Sequence, residues 1–181
     1  MKYFLLLLLT ITTSGSLLAQ GLGIGQPVKD FTILADYSNT KAVAVIFLNQ
    51  SCPNSRLYEN RLSQLASNYA AKGVTFLFIN PAISMEEGNS AAGGNTNLKL
   101  LPDNGQKISQ QFGATKTPEA FLLQNVNGSF VLKYKGAIDD NPQLESSVKE
   151  PYLRNALDAV LANKAVAVSE KRALGCMIKR F

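Results

Sequence analysis

Val43-Ala44-Val45-Ile46-Phe47-Leu48-Asn49-Gln50-Ser51-Cys52-Pro53-Asn54-Ser55 is the stretch that decides the fold. The near-continuous apolar run over residues 41–48 suits a central strand buried on both faces. A helical pattern then opens at Pro53, where a missing N–H does no harm because first-turn N–H groups have no partner within the helix. Cys52 falls at the junction and faces that first turn, whose free N–H groups and dipole favour a thiolate over a thiol. The thiolate is the form that attacks disulfides and peroxides. One short segment therefore speaks to chemistry as well as to architecture.

Downstream, the helix is expected over Pro53 to Lys72. Leu57, Tyr58, Leu62, Leu65, Ala66 and Tyr69 recur at spacings of three and four along it, and Gly73 closes it. Val74 to Ile79 reads as a second buried strand, so strand, helix and strand form a right-handed parallel crossover. Pro81 to Asn97 is rich in Gly, Asn, Ser and Ala and poor in apolar residues, a pattern that points to a functional or mobile loop. Leu98 to Leu101 suggests a short strand, and Asp103 can cap a helix through Phe112, closed by Gly113. Glu119–Gln124 and Ser129–Tyr134 form a hairpin about Asn127-Gly128. A last amphipathic helix is expected over Pro151–Ala162, while the chain from Asn163 onward shows no clear element. Upstream, residues 20–30 read as an irregular lead-in, and Asp30 to Leu34 has strand alternation.

Residues 1–19 stand apart. Lys2, the apolar run Phe4 to Leu9, and Leu17-Leu18-Ala19-Gln20 have the order of a secretory signal peptide cleaved near Gln20. The apolar run is shorter than the roughly 20 residues a bilayer span takes, so no stable membrane span is expected after cleavage. The reading is an exported protein, periplasmic or extracellular, with one domain over 20–162 and a C-terminal tail over 163–181. The apolar residues Leu174, Met177, Ile178 and Phe181 suggest that this tail lies against the domain.

The sequence contains no histidine and only two cysteines. Metal sites built on His or Cys, Ser-His and Cys-His catalytic pairs and iron–sulfur clusters are thereby excluded, and neither a metal nor an organic cofactor is implied. Lys171, Arg172, Lys179 and Arg180 read as a solvated basic end. No basic stripe interleaved with aromatics points to nucleic acid. Asp139-Asp140, in a Gly/Asn/Pro setting, reads as a solvated turn.

Several motifs, in this order, resemble redoxin-domain proteins of the thioredoxin-like superfamily. They are Asp30-Phe31-Thr32, the strand end Phe47 to Cys52, Thr117-Pro118 before a strand, Gly136-Ala137-Ile138-Asp139-Asp140-Asn141, and the ending Gly175-Cys176-Met177-Ile178-Lys179. The resemblance covers nearly all of the chain after residue 19 and implies a thioredoxin-like α/β fold, a central mixed sheet flanked by helices. It also implies thiol–disulfide exchange at Cys52, with Thr117-Pro118 as a cis-proline loop that leaves backbone groups open to an extended substrate. Pro53 and Ser55 border the same substrate-binding region.

Departures from that family are informative. Thioredoxins carry a second cysteine where Ser55 stands, and the redoxin subgroup often has one where Asn49 stands. Val45 and Asn49 occupy the proline and hydroxyl positions of the peroxiredoxin pattern. Cys176 is then the one internal candidate to resolve a disulfide formed at Cys52, and it stays open whether the two form a redox couple, a static bridge or no bond at all. The expected partners are protein disulfides or thiols, with peroxides as the alternative substrate. A third alternative is a binding module stapled by a structural disulfide.

Overall fold

Every residue of β1 (Ala42–Phe47) is buried, and its side chains divide between two cores. Ala42, Ala44 and Ile46 join one apolar cluster, whereas Val43, Val45 and Phe47 join the other. The two-residue period of a strand produces this division, and a core on each face explains why no polar residue interrupts the run. The computed structural model describes residues 21–29, 31–84 and 97–180. The signal-peptide reading of residues 1–19 and most of the Pro81–Asn97 loop lie outside the described residues.

From β1 the chain enters α1 (Pro53–Ala70) and returns as β2 (Val74–Asn80), which pairs parallel with β1. β3 (Leu100–Pro102) adds in parallel beyond β2. After α2 (Lys107–Phe112) and the short β4 (Lys116–Thr117), β5 (Glu119–Val126) lies antiparallel on the other side of β1. It turns at Asn127-Gly128, both at positive φ, into β6 (Ser129–Gly136). α3 (Tyr152–Leu161) follows, and then β7 (Glu170–Lys171) and β8 (Cys176–Met177). The main sheet runs β3-β2-β1-β5-β6-β7, a mixed sheet with β1 inside it, and β4 pairs with β8 in a separate ribbon.

On one face, Tyr58, Leu62, Leu65 and Tyr69 of α1 pack with Leu153, Ala156, Leu157 and Val160 of α3. On the other, Phe121 meets Phe47 and Phe112 edge-on, with ring centroids 5.5 and 5.3 Å apart. This is the mixed α/β thioredoxin-like architecture. Among the described residues no helix is long and apolar enough to cross a membrane.

Four local expectations change. Thr32–Tyr37 is a 3-10 turn that drops Leu34 into the core, not a strand. Strand-like pairing comes earlier, where Gly25 and Val28 donate to the Leu132 and Phe130 carbonyls on the β6 edge. The helix expected from Asp103 begins at Lys107, because Gly105 and Gln106 take left-handed φ values of 65° and 54°. Asp103 still caps it, accepting N–H bonds from Ile108 and Ser109 at 2.9 and 3.0 Å. Asp139 is buried rather than solvated. It binds the Arg61 guanidinium and accepts the Tyr58 hydroxyl at 2.7 Å, which ties α1 to the loop after β6. Finally, the region from Asn163 does contain elements, the two-residue strands β7 and β8.

Candidate functional site

The turn between β1 and α1 is organised by Asn49. Its side-chain oxygen accepts the Ser51 N–H at 2.9 Å, and its amide nitrogen donates to the Pro81 carbonyl at 2.8 Å, joining the turn to the end of β2. Its backbone N–H reaches Ser55 Oγ at 3.4 Å. Ser55 is fully buried beneath this turn, so its hydroxyl serves the backbone there. Pro53 is the exposed first residue of α1, and Cys52 is its N-cap residue, completely buried. Asn49 and Ser55, at the two positions where the resemblance would place further cysteines, are thus hydrogen-bonded to each other.

Facing Cys52 is the loop that carries β4. The Thr117-Pro118 bond is cis, both residues are buried, and the Thr117 carbonyl oxygen lies 3.2 Å from Cys52 Sγ. With sulfur committed to a disulfide there is no thiol proton to donate, so this contact becomes a hydrogen bond only on reduction. Glu119 shapes the loop from behind: its carboxylate accepts the Thr115 and Lys116 N–H groups at 2.7 and 3.1 Å. Burial pushes the Glu119 carboxyl upward, and those two N–H donors pull part of the way back.

Cys52 is joined to Cys176 across 124 residues of sequence, with the two Cα atoms 5.9 Å apart. The tail reaches it in two steps. β7 lies parallel on the end of β6, so close that a side chain on Gly136 would start 1.6 Å from the Lys171 carbonyl oxygen. β8 then runs antiparallel to β4, with Cys176 opposite Thr117 and Met177 opposite Lys116. Ile178 donates to Thr115 O at 3.0 Å. The tail's other edge bonds the segment after β2: Ser84 donates to Met177 O and Lys179 to Ala82 O, both at 2.9 Å. Residues 176–179 are thus a strand threaded between residues 115–117 and 82–84. Of the apolar tail residues, Ile178 is buried, Leu174 and Met177 are exposed, and Phe181 lies outside the described residues.

Between the cis-proline loop, the loop after β6 and the tail, a cleft of about 260 Å³ is lined by Pro118, Tyr58, Asp139, Tyr152, Lys171 and Leu174. Burial, and then the hydrogen bond to Asp139, push the Tyr58 phenol far above its usual range, so it remains a donor. The structure brings together Cys52, Cys176, Thr117 and Pro118. Glu119 and Gly175 belong with them; Glu119 was not singled out from sequence, and Gly175 stood within the Gly175-to-Lys179 ending with no role assigned to it. A glycine directly before the terminal cysteine, and a carboxylate directly after Thr-Pro, were the signals available for them.

A cysteine at a strand-to-helix junction, facing a cis-proline loop at the edge of a mixed sheet, defines a thioredoxin-like site. The chain belongs to the thioredoxin-like family, which matches residues 39–130. No protein curated for function matches it. Among solved structures it is similar to a hypothetical protein from Sinorhizobium meliloti 1021, with 27% identity and a TM-score of 0.72, covering 90% of this chain and 97% of that one. An uncharacterized conserved protein from Geobacillus kaustophilus gives 24% identity and a TM-score of 0.72, covering 88% and 93%. A putative thiol:disulfide interchange protein from Chlorobium tepidum gives 19% and 0.56, covering 78% and 99%. The latter two likenesses speak for the fold.

Proposed function

We propose that this chain is an exported thiol–disulfide oxidoreductase in which Cys52 is the nucleophile and Cys176 the resolving thiol. The observation that carries this reading is the Cys52–Cys176 disulfide, held against the Thr117 carbonyl on a terminal strand. The bridge joins the N-cap residue of α1 to the two-residue strand β8, which is held by backbone bonds and by the buried Ile178. Export rests on the charge and hydropathy order of residues 1–19.

In the reduced protein, the Cys52 thiolate attacks one sulfur of a partner disulfide. That S–S bond breaks, the partner's other sulfur leaves as a thiolate, and Cys52 is left in a mixed disulfide. The Cys176 thiolate then attacks the Cys52 sulfur, the second partner sulfur departs, and the Cys52–Cys176 bond re-forms. The partner has gained two electrons, which a dithiol donor must return to this protein. A partner dithiol drives the sequence in reverse. Pro53 sets the start of α1, and the Thr117 carbonyl and Pro118 border the sulfur, while Ser55 supports the turn from within.

A permanent staple is the second reading, and the complete burial of Cys52 favours it. Peroxide reduction has less support, since Asn49, at the peroxiredoxin hydroxyl position, is engaged with Pro81 and Ser51. Single-turnover reaction of the reduced protein with the small disulfide 5,5′-dithiobis(2-nitrobenzoate), followed by released colour and by intact mass, tests the proposal. Wild type should finish as free nitrobenzoate thiolates and an oxidised monomer. Cys176→Ser should stop at a Cys52–nitrobenzoate adduct, and Cys52→Ser should react no faster than free cysteine. Equal rates for Cys52→Ser and wild type would refute the assignment.

A further inference from the structure

We propose that the slot filled by the tail is a sequence-reading peptide site for partner segments of the form Gly-Cys-x-aliphatic. The inference rests on the redox reading above and names the substrate class of that same site. Cys52 is completely buried while the tail is docked, and release of the tail opens the place that Cys176 Sγ now holds to a partner sulfur. Disulfide geometry keeps a partner Cα within about 4.4–6.8 Å of Cys52 Cα, a range that β8 itself meets at 5.9 Å. Partner and tail therefore use one slot in turn, the returning tail displacing the partner chain as Cys176 attacks, and the tail shows what the slot accepts.

Backbone bonds on both edges, to 115–117 and to 82–84, hold any extended chain regardless of its side chains. Selection comes from two positions. Directly before the cysteine, a Cβ at Gly175 would lie 2.0 Å from the Thr117 carbonyl oxygen and 3.2 Å from Pro118 Cδ, so only glycine fits that backbone path. Two residues after the cysteine, Ile178 enters the core cluster that contains Phe47, Ile79, Phe112 and Ala114, and only 5% of it is exposed. A polar residue there would lose its water without gaining a partner. The intervening Met177 and the preceding Leu174 are exposed, and the slot leaves those positions free.

The test uses acetyl-Leu-Gly-Cys-Met-Ile-Lys-amide carrying 5-thio-2-nitrobenzoate on its cysteine, offered to reduced full-length protein with Cys176→Ser. Cys52 thiolate attacks the peptide sulfur, the peptide–nitrobenzoate S–S bond breaks, and the coloured nitrobenzoate thiolate leaves. Two further peptides replace Gly by Val, or Ile by Asn. The first peptide should react at least ten-fold faster than either, and the preference should vanish when glutathione or urea-unfolded protein is the attacking thiol. If the variant does not fold, pre-reduced wild type is given the same three peptides and should show the same order. Equal rates for all three would overturn the sequence-reading slot and leave the redox reading standing. A Cys52 that reacts with no peptide and with no small disulfide would overturn both. In pre-reduced wild type, a dimer linked from Cys52 of one copy to Cys176 of another, forming in preference to every peptide adduct, would also overturn it, since a second copy's tail would then be the occupant.

Discussion

The Thr117 carbonyl oxygen stands 3.2 Å from Cys52 Sγ, although 65 residues separate the two in sequence. β1 and α1 deliver the sulfur, while the cis bond before Pro118 and the Glu119 carboxylate behind it fix the carbonyl. The tail reaches this sulfur past that carbonyl, by means of a glycine.

Gly175→Val should therefore detach the tail from Thr117. Forcing a branched side chain into a filled space costs about 1–3 kcal/mol, here taken from the docking of β8. Trypsin should cleave after Lys171 and Arg172 several-fold faster than in wild type under native oxidising conditions. Unchanged cleavage would show that the tail has another route past the loop.

Closing a loop across 124 residues restricts the unfolded chain strongly. Measured effects for such bridges run to about 2–5 kcal/mol. Reduction, or Cys176→Ser, should lower the urea midpoint by a corresponding amount while leaving the secondary structure in place, because neither core contains Cys176. Loss of helical signal on reduction would mean instead that the bridge supports the whole domain.

Arg61 and Asp139 form a buried pair. Removing one partner leaves an uncompensated charge, so Asp139→Ala should cost about 3–5 kcal/mol. Replacing both, Arg61→Met with Asp139→Leu, should recover much of that loss in denaturation experiments. The contrast between single and double variants separates a stranded charge from a general packing fault.

Glu119 gives the pH dependence a sign. Burial raises its carboxyl above the ordinary 4.5, so the folded protein holds this proton more tightly than the unfolded chain does. Its stabilising contribution is full below the ordinary carboxylate range and is lost as pH rises through the raised value. Glu119→Gln keeps one oxygen to accept from Thr115 or Lys116 and removes the titration. Urea midpoints from pH 4.5 upward should fall less steeply in the variant than in wild type. Superimposable profiles would contradict the assignment.

What the sequence disclosed follows from how each element is held. β1, α1, β2, the Asn127-Gly128 hairpin and α3 are held by side chains at regular periods, so their patterns appear in the residues themselves. The placement of Cys52 opposite the cis Thr117-Pro118 bond was legible because the motifs around these residues resemble those of redoxin-domain proteins. β7 and β8 carry no such pattern. They are held by backbone bonds to residues 135–136, 115–117 and 82–84, and these leave no mark in apolar spacing. Asp139 was misjudged for a related reason: its partners Tyr58 and Arg61 lie 81 and 78 residues away, where no local pattern could announce them.

The reduction potential of the Cys52–Cys176 couple, measured by equilibration against glutathione or dithiothreitol buffers, tests the central claim most directly. A working redox pair predicts a value between about −270 and −120 mV, the span of known thiol oxidoreductases. A value below about −300 mV would mark the bond as a structural staple and contradict the proposed exchange chemistry.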